Sequence, residues 1–144
     1  MKKLKLFLTV FLIVGLLSAS ATVILYADVI SPEKTFTVYN YSYINYAEVW
    51  EYSSGLQARA AIESTSSLPS GYAGAYPRLY DDDGVLVLSA SSWYYNDINT
   101  YGINSGTRTL YSVPGAYYSY GLTRAYNGNG YTQQTTYRSP SINY

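Results

Sequence analysis

Acidic side chains are the groups with which this chain could carry out acid–base chemistry, because it contains no histidine and no cysteine. Their absence excludes a Ser-His-Asp triad, a thiol nucleophile and a zinc site built on histidine or cysteine. A serine–lysine pair would depend on Lys34, the one lysine after residue 27. Two carboxylates across a cleft would suit glycoside hydrolysis. The carboxylates available for that reaction are Glu48, Glu51, Glu63 and Asp97.

Sequence spacing limits which of these carboxylates can act together. Glu48 and Glu51 are three residues apart, so on a regular strand they face opposite sides. Glu48 can meet Glu63 only from a neighbouring strand. Solvated or arginine-paired surface acids account for the same residues without an active site. We therefore expect a protein that is not an enzyme, with no catalytic residues and no cofactor, and keep a small carboxylate-based glycosidase as an alternative.

An acidic run, Asp81-Asp82-Asp83, precedes Gly84 and offers oxygen ligands suited to calcium. Its spacing is not that of a D-x-D-x-D-G loop, and the similar segment 127–130 carries no charge. Hairpin-turn chemistry is the better explanation, because Asp and Asn bond their own backbone and glycine adopts positive φ. We expect no metal site, and calcium at Asp81 and Asp83 is the alternative.

A short repeat contains most of the candidate binding residues. Residues 78–84 and 124–130 share the pattern R-x-Y-[DN]-x-[DN]-G, and Tyr72 and Tyr118 correspond at the same offset. The arginine and the tyrosine of each copy face one side of a strand, where a guanidinium can stack on a phenol ring. The repeat indicates two equivalent hairpins and a pseudo-symmetric domain. The residues we expect to bind a partner are Trp50, Trp93, Arg78, Tyr80, Arg124 and Tyr126.

The 20 tyrosines are typical of a β-protein that uses tyrosine as a half-buried sheet residue. Two groups could instead form an exposed aromatic surface, and we favour an inner or rim position for both. Alternation predicts strands throughout, and no window after residue 34 has a helical period. The predicted strands cover 35–52 (two strands or one bulged strand), 55–63, 72–80, 85–90, 107–113, 117–126 and 131–138, with loops at 64–71 and 93–106. The two tyrosine groups are Tyr39, Tyr41 and Tyr43, and Tyr118, Tyr120 and Tyr126.

Residues 1–27 have the organisation of a secretory signal peptide. Three lysines precede an uncharged run from Leu6 to Ala27, and Ala19-Ser20-Ala21 and Leu25-Tyr26-Ala27 are two candidate cleavage sites. The uncharged run reaches the roughly 20 residues that span a bilayer, so an uncleaved membrane anchor is the alternative. Both interpretations place the remaining chain outside the cell.

Residues 28–144 are expected to form a single Tyr-rich domain, an all-β antiparallel sandwich or partly open barrel of seven or eight strands. Three of the nine basic residues lie in the N-terminal segment, so six basic residues face nine acidic ones in the domain. That balance gives no electrostatic footprint for nucleic acid. The absence of disulfides and the Lys-rich start are typical of a bacterial exported protein, with a Gram-positive source as the narrower expectation.

These observations predict an exported binding or structural domain, secreted or associated with the cell surface. The expected partner is a neutral wall polysaccharide or a surface protein, with membrane contact only through an uncleaved N-terminal segment. A bacteriocin-like or pore-forming antagonist is the second hypothesis, although such proteins are commonly cationic. The carboxylate-based glycosidase is the third.

Overall fold

The computed structural model describes residues 28–144, so the predicted signal peptide, residues 1–27, lies outside the described part of the chain. The described residues form antiparallel strands and no helix, which confirms the all-β class. The strands are β1 Val29–Ile30, β2 Lys34–Val38, β3 Tyr41–Tyr52, β4 Gly55–Leu68, β5 Ala73–Tyr76, β6 Arg78–Asp81, β7 Leu86–Ser89, β8 Tyr94–Tyr95, β9 Thr100–Gly106, β10 Ala116–Ser119, β11 Leu122–Tyr126, β12 Tyr131–Thr135 and β13 Ile142–Asn143.

The first sheet is built on the two long strands β3 and β4, in the order β1-β3-β4-β9. β1 and β2 pair with opposite halves of β3 along the same edge. The apolar residues of 35–52 change parity because a turn at Tyr39 and Asn40 separates β2 from β3. Tyr39 has a φ of 56° in this turn. The predicted alternation of β4 is confirmed on its inner face, where Leu56, Ala58, Ala60 and Ile62 are fully buried.

Two further four-stranded sheets together form a second layer, which packs against the first sheet. Their strand orders are β12-β11-β5-β8 and β13-β10-β6-β7. Each strand of one sheet is therefore connected in sequence to the strand at the same place in the other sheet. The central ladder keeps a single antiparallel register across both, because Leu122 pairs with Tyr76 and Ser119 with Leu79. The second layer is therefore one four-stranded layer whose strands are all interrupted near their middle.

Hydroxyl side chains bridge this interruption. Pro77 has no N–H with which to continue a ladder. On the opposite side, the Gly121 N–H donates to Thr136 Oγ1 (3.0 Å) and the Ser119 N–H donates to Ser139 Oγ (2.9 Å). These buried donors are thus satisfied by side chains where backbone pairing stops.

The core consists of two apolar clusters between the layers, one at each end. One is centred on Tyr43, Ile62 and Leu68, and the other on Val49, Leu56 and Leu79. Small residues separate them: a Cβ placed on Gly121 would lie only 2.6 Å from the Ala60 Cβ. The layers therefore approach most closely where the second layer is interrupted.

The repeat identified in the sequence corresponds to an internal symmetry of the second layer. The segments β5-β6-β7-β8 and β10-β11-β12-β13 occupy equivalent positions on the two sides of the central ladder. The offset of the repeat relates Tyr76 to Leu122, and these two residues are paired directly across the ladder. A local two-fold axis therefore passes through this pair.

Several boundaries differ from the prediction, and the strands number thirteen rather than seven or eight. The loop predicted at 93–106 contains β8 and β9, because β9 is an edge strand paired with β4 despite its asparagines and glycines. The strand predicted at 107–113 is wrong: only Tyr111 forms a bridge, with Leu56. Residues 72–80 and 117–126 each form two strands that belong to different sheets. The three sheets do not close into a barrel.

Candidate functional site

The outward side of the second layer carries a continuous set of aromatic rings and arginines, which we call the aromatic–arginine face. Along β6 and β11 these side chains alternate with buried residues such as Leu79 and Ala125. Alternation on a strand thus turns one set to the core and the other outward, where it is half-buried. The face comprises Tyr72, Tyr76, Arg78, Tyr80, Trp93, Tyr95, Tyr118, Tyr120, Arg124, Tyr126, Tyr131 and Arg138.

Five of the six predicted binding residues meet on this face. At one end, the Arg124 guanidinium lies 3.9 Å from the centroid of the Trp93 ring. Arg124 also donates from Nη1 to the Tyr95 hydroxyl (3.1 Å). The Tyr76 ring also packs against the Trp93 ring, with centroids 5.4 Å apart. Stacking of this kind restrains the guanidinium while leaving donors at its edge.

Arg78 occupies the equivalent place at the other end. Its guanidinium carbon lies 5.4 Å from the centroids of both Tyr80 and Tyr120. Its Nε donates to the Tyr120 carbonyl (3.0 Å) and so takes part in the interrupted ladder. Tyr80 stacks on Tyr118 (5.5 Å), and the Arg138 guanidinium lies 3.5 Å from the Tyr118 centroid. The Tyr80 and Tyr118 rings are therefore stacked face to face, Tyr120 meets Tyr80 edge-on, and Arg138 covers the Tyr118 ring.

Burial raises the pKa of two phenols of this face, Tyr80 and Tyr131, and so favours their protonated form. Burial raises the pKa of Tyr80, an effect that Arg78 opposes and the neighbouring phenols Tyr118 and Tyr120 reinforce. Burial likewise raises the pKa of Tyr131. A protonated phenol both donates and accepts a hydrogen bond. The hydroxyls of Tyr126 and Tyr131 donate to the carbonyls of Gly128 and Gly71 (both 2.8 Å), so these two can only accept from a ligand, and the guanidinium groups are the main donors of the face.

Trp50, the sixth predicted residue, lies on the opposite surface of the molecule. It points outward from the first sheet, where the Arg59 guanidinium lies 3.9 Å from its ring centroid. Arg59 Nε also lies 3.5 Å from a Glu48 oxygen, and Asn104 Nδ2 donates to the same oxygen (2.9 Å). Trp50 thus belongs to a compact polar cluster of its own, and the structure does not bring it to the other five.

The carboxylates considered for hydrolysis are held by separate partners. Glu48 pairs across from Arg59, whereas Glu63 pairs across from Ile44 on the same outer face. The two positions are four residues apart along the strands, or roughly 13 Å. The Tyr46 hydroxyl donates to Glu63 (2.6 Å), and burial and this bond raise the pKa of Tyr46.

The remaining two acids are not near that pair. Glu51 has the opposite parity to Glu48 in β3, as the sequence predicted, and Asp97 lies in the exposed loop between β8 and β9. Paired carboxyl groups of glycosidases are about 5–9.5 Å apart. The backbone spacing of Glu48 and Glu63 therefore does not by itself create such a pair.

The acidic turn uses its oxygens internally. Asp81 Oδ1 accepts from the Val85 N–H (2.8 Å), and Asp82 Oδ1 accepts from Arg138 (2.9 Å). In the second copy, Asn127 Oδ1 accepts from the Asn129 N–H (3.1 Å). Residues 28–144 contain no group of three or more potential metal ligands. The predicted role of the first Asp or Asn in each turn is confirmed by these bonds.

The structure adds residues to the face that sequence reasoning missed. Tyr95 accepts a bond from Arg124, and Arg138 stacks on Tyr118. Tyr95 lies in a segment predicted as a loop, and Arg138 lies three residues after the end of β12. The alternation of Trp93 and Tyr95 was a usable signal, because alternate residues share a side. The interior position favoured for the tyrosines holds for Tyr43 and the partly buried Tyr41. It is wrong for Tyr39, which is exposed in the turn after β2, and Tyr118, Tyr120 and Tyr126 are half-buried and point outward.

Comparison of the chain with protein-family models, with curated proteins and with solved structures finds no match. The geometry of the described residues is accordingly the basis of the functional argument. Among residues 28–144, no helix is long and apolar enough to cross a membrane.

Proposed function

We propose that this chain is an exported bacterial binding domain without enzymatic activity, and that the aromatic–arginine face of its small β-sandwich binds a neutral cell-wall polysaccharide. The observation that carries the proposal is the meeting of Trp93, Arg78, Tyr80, Arg124 and Tyr126 on one side of one layer. Sequence separation alone gives no reason for these residues to share a surface.

The chemistry of the face supports a hydroxyl-rich partner. Neither Arg78 nor Arg124 forms an ion pair with a described carboxylate, and the Nη atoms of Arg78 have no hydrogen bond among the described residues. Guanidinium and phenol groups together can donate to sugar hydroxyls and ring oxygens, while the ring edges cover apolar C–H groups. Ordered rings with few torsion angles lose little entropy on binding, which favours recognition by such a surface.

The other hypotheses are less well supported by this geometry. A pore-forming hairpin would turn Arg78 and Arg124 toward hydrocarbon, where a charged side chain costs several kcal/mol. A glycosidase would need Glu48 and Glu63 to leave their present partners and converge. A surface protein remains the alternative partner, and competition by soluble glycans distinguishes it from polysaccharide.

Co-sedimentation with insoluble bacterial cell walls tests the proposal. The protein is expressed from the full-length sequence in a Gram-positive host, and its N-terminus is sequenced to learn whether it begins at Thr22, at Asp28 or at Met1. We expect saturable pelleting that soluble wall glycans compete away. Export would fail as a proposal if the protein stayed inside the cells.

Trp93→Ala and Trp50→Ala form a matched pair of variants, because each tryptophan has an arginine guanidinium 3.9 Å from its ring. The two changes remove the same side chain from opposite surfaces. Loss of a central interface anchor typically costs more than about 1.4 kcal/mol, so we expect Trp93→Ala to weaken wall binding at least about tenfold. Trp50→Ala should stay within about twofold. Equal losses, or no pelleting of the unmodified protein, would reject the proposed face.

A further inference from the structure

The internal symmetry of the second layer duplicates the core of the proposed binding face. Arg78 and Tyr80 on β6 correspond to Arg124 and Tyr126 on β11 through the repeat. The correspondence extends across the ladder. Tyr80 stacks on Tyr118 (5.5 Å), and Tyr126 packs on Tyr72 (4.6 Å). Each end of the face therefore repeats one arginine and one pair of tyrosines, and Arg138, which stacks on Tyr118, adds a second arginine at the first end.

We propose that these are two equivalent subsites, so that one domain binds two segments of polysaccharide and bridges them. This inference rests on the proposed function, since it states how many polysaccharide segments the same face binds. Subsite one is Arg78, Tyr80 and Tyr118. Subsite two is Arg124, Tyr126 and Tyr72.

The separation of the subsites allows both to be occupied at once. Arg124 pairs with Gly74, which lies four residues from Arg78 along the adjoining strand, so the two arginines are about 14 Å apart. The tyrosine pairs lie at the far ends of the ladder, eight residues apart along each strand, or about 27 Å. A sugar ring in contact with one tyrosine pair does not reach the other.

The symmetry also implies that the two subsites bind two separate polysaccharide segments, not one continuous chain. A two-fold axis perpendicular to the layer reverses direction, whereas a polysaccharide chain has a direction. A single straight chain cannot present the same groups in the same sense to both subsites. Two segments running in opposite directions can, and linking them through one domain raises the avidity for an array of chains such as a cell wall.

The surroundings of the two arginines differ, so the subsites need not have equal affinity. Arg124 lies 3.9 Å from the Trp93 centroid, whereas Arg78 lies 5.4 Å from two tyrosine rings. We expect subsite two to bind more tightly, because Trp offers the strongest cation–π partner and the larger contact area.

The test combines wall pelleting with cross-linking of soluble glycan fragments that are released from the same walls by enzymatic digestion. The full-length expressed protein is compared with Arg78→Ala, Arg124→Ala and the double variant, each checked for folding by circular dichroism. Long fragments report bridging as increased light scattering, and short fragments report stoichiometry by titration calorimetry. If an alanine variant fails to fold, Tyr80→Phe and Tyr126→Phe replace the arginine changes.

We expect two short fragments per domain and strong scattering with long ones. Each single variant should still pellet with walls, weakened about three- to tenfold, but should lose the scattering signal, and the double variant should not pellet. One fragment per domain, or complete loss of pelleting in one single variant with no change in the other, would overturn bivalence while the binding function stands. Failure of the unmodified protein to pellet would overturn both.

Discussion

Replacing Gly121 by alanine perturbs the closest approach between the two layers. The new Cβ would lie 2.6 Å from the Ala60 Cβ and 3.6 Å from the Tyr76 carbonyl oxygen. Both Cβ atoms are fixed to the backbone, Ala60 within β4 and residue 121 between β10 and β11, so no side-chain rotation can relieve the contact. The layers must separate by about 1 Å or more, which loosens the apolar clusters on either side. Overpacking of a core typically costs about 1–3 kcal/mol, and we expect about 2–3 kcal/mol here because backbone must move.

Urea unfolding and calorimetry measure this loss. With an unfolding entropy of roughly 2.1 cal/mol/K per residue, a domain of this size loses about 4 °C in Tm for each kcal/mol. Gly121→Ala should therefore lower Tm by about 8–12 °C. Ala60→Gly provides the control and the rescue, because it removes the other Cβ. Alone it should cost about 1 kcal/mol, the usual penalty of glycine within a strand.

The double variant decides whether the contact is the cause. If it is, Ala60→Gly relieves the clash, and the double variant should be at least about 1 kcal/mol more stable than the two single losses predict together. Independent sites add to within about 0.5 kcal/mol. An additive result would refute the argument that this pair sets the distance between the layers.

Three further predictions concern buried polar groups. Thr136→Val removes the acceptor of the buried Gly121 N–H while keeping the shape of the side chain, and should lower the free energy of urea unfolding by about 1–3 kcal/mol; an unchanged midpoint would contradict it. Tyr43→Phe should stabilise the domain by about 1 kcal/mol at pH 7, because the buried Tyr43 hydroxyl has no hydrogen-bond partner among residues 28–144. Burial raises the pKa of Tyr43 to about 12 from 10, so its protonated form is favoured in the folded state and stability is lost as pH rises from about 10 to 12. Unfolding measured from pH 8 to 12 should show a smaller loss in Tyr43→Phe, and parallel curves would count against this assignment. Arg59→Met should destabilise by about 2–3 kcal/mol, because Glu48, which is 6% exposed, would lose its cation; the combination with Glu48→Gln should recover part of the loss in the same assay.

Local pattern was sufficient to predict the strands whose sequence and environment agree. β4 was predictable because its inner residues, from Leu56 to Ile62, fall on alternate positions, separated by Gln57, Arg59 and Ala61. The turns at 81–84 and 127–130 were predictable because Asp, Asn and Gly have local conformational preferences. β9 could not be predicted in this way. Its strand conformation comes from pairing with β4, a contact between residues some 40 positions apart, as between Ile62 and Ile103.

The candidate site was predictable as residues but not as a surface. Strand parity correctly placed Arg78 beside Tyr80 and Arg124 beside Tyr126. The sequence did not distinguish Trp50 from Trp93, because each has a tyrosine within two residues. In the structure each also lies beside an arginine. Which layer each tryptophan occupies is decided by long-range pairing. Pro77 could have indicated the break between β5 and β6, since proline ends a ladder that needs its N–H.

The two copies of the repeat share the residues of the turn and also an arginine and a tyrosine of the aromatic–arginine face. Hairpin-turn chemistry requires only the Asp or Asn and the glycine of each copy. The arginine and tyrosine that precede them are not part of that local chemistry, yet both recur, and both point outward. Only in the second copy does the tyrosine bond into the turn, where the Tyr126 hydroxyl donates to the Gly128 carbonyl (2.8 Å). The inward residue between them changes from Leu79 to Ala125, since each copy faces a different apolar cluster. The two copies thus differ at the core position and agree at the two surface positions. A functional requirement on the surface would produce this pattern. The proposed binding by the aromatic–arginine face would supply such a requirement.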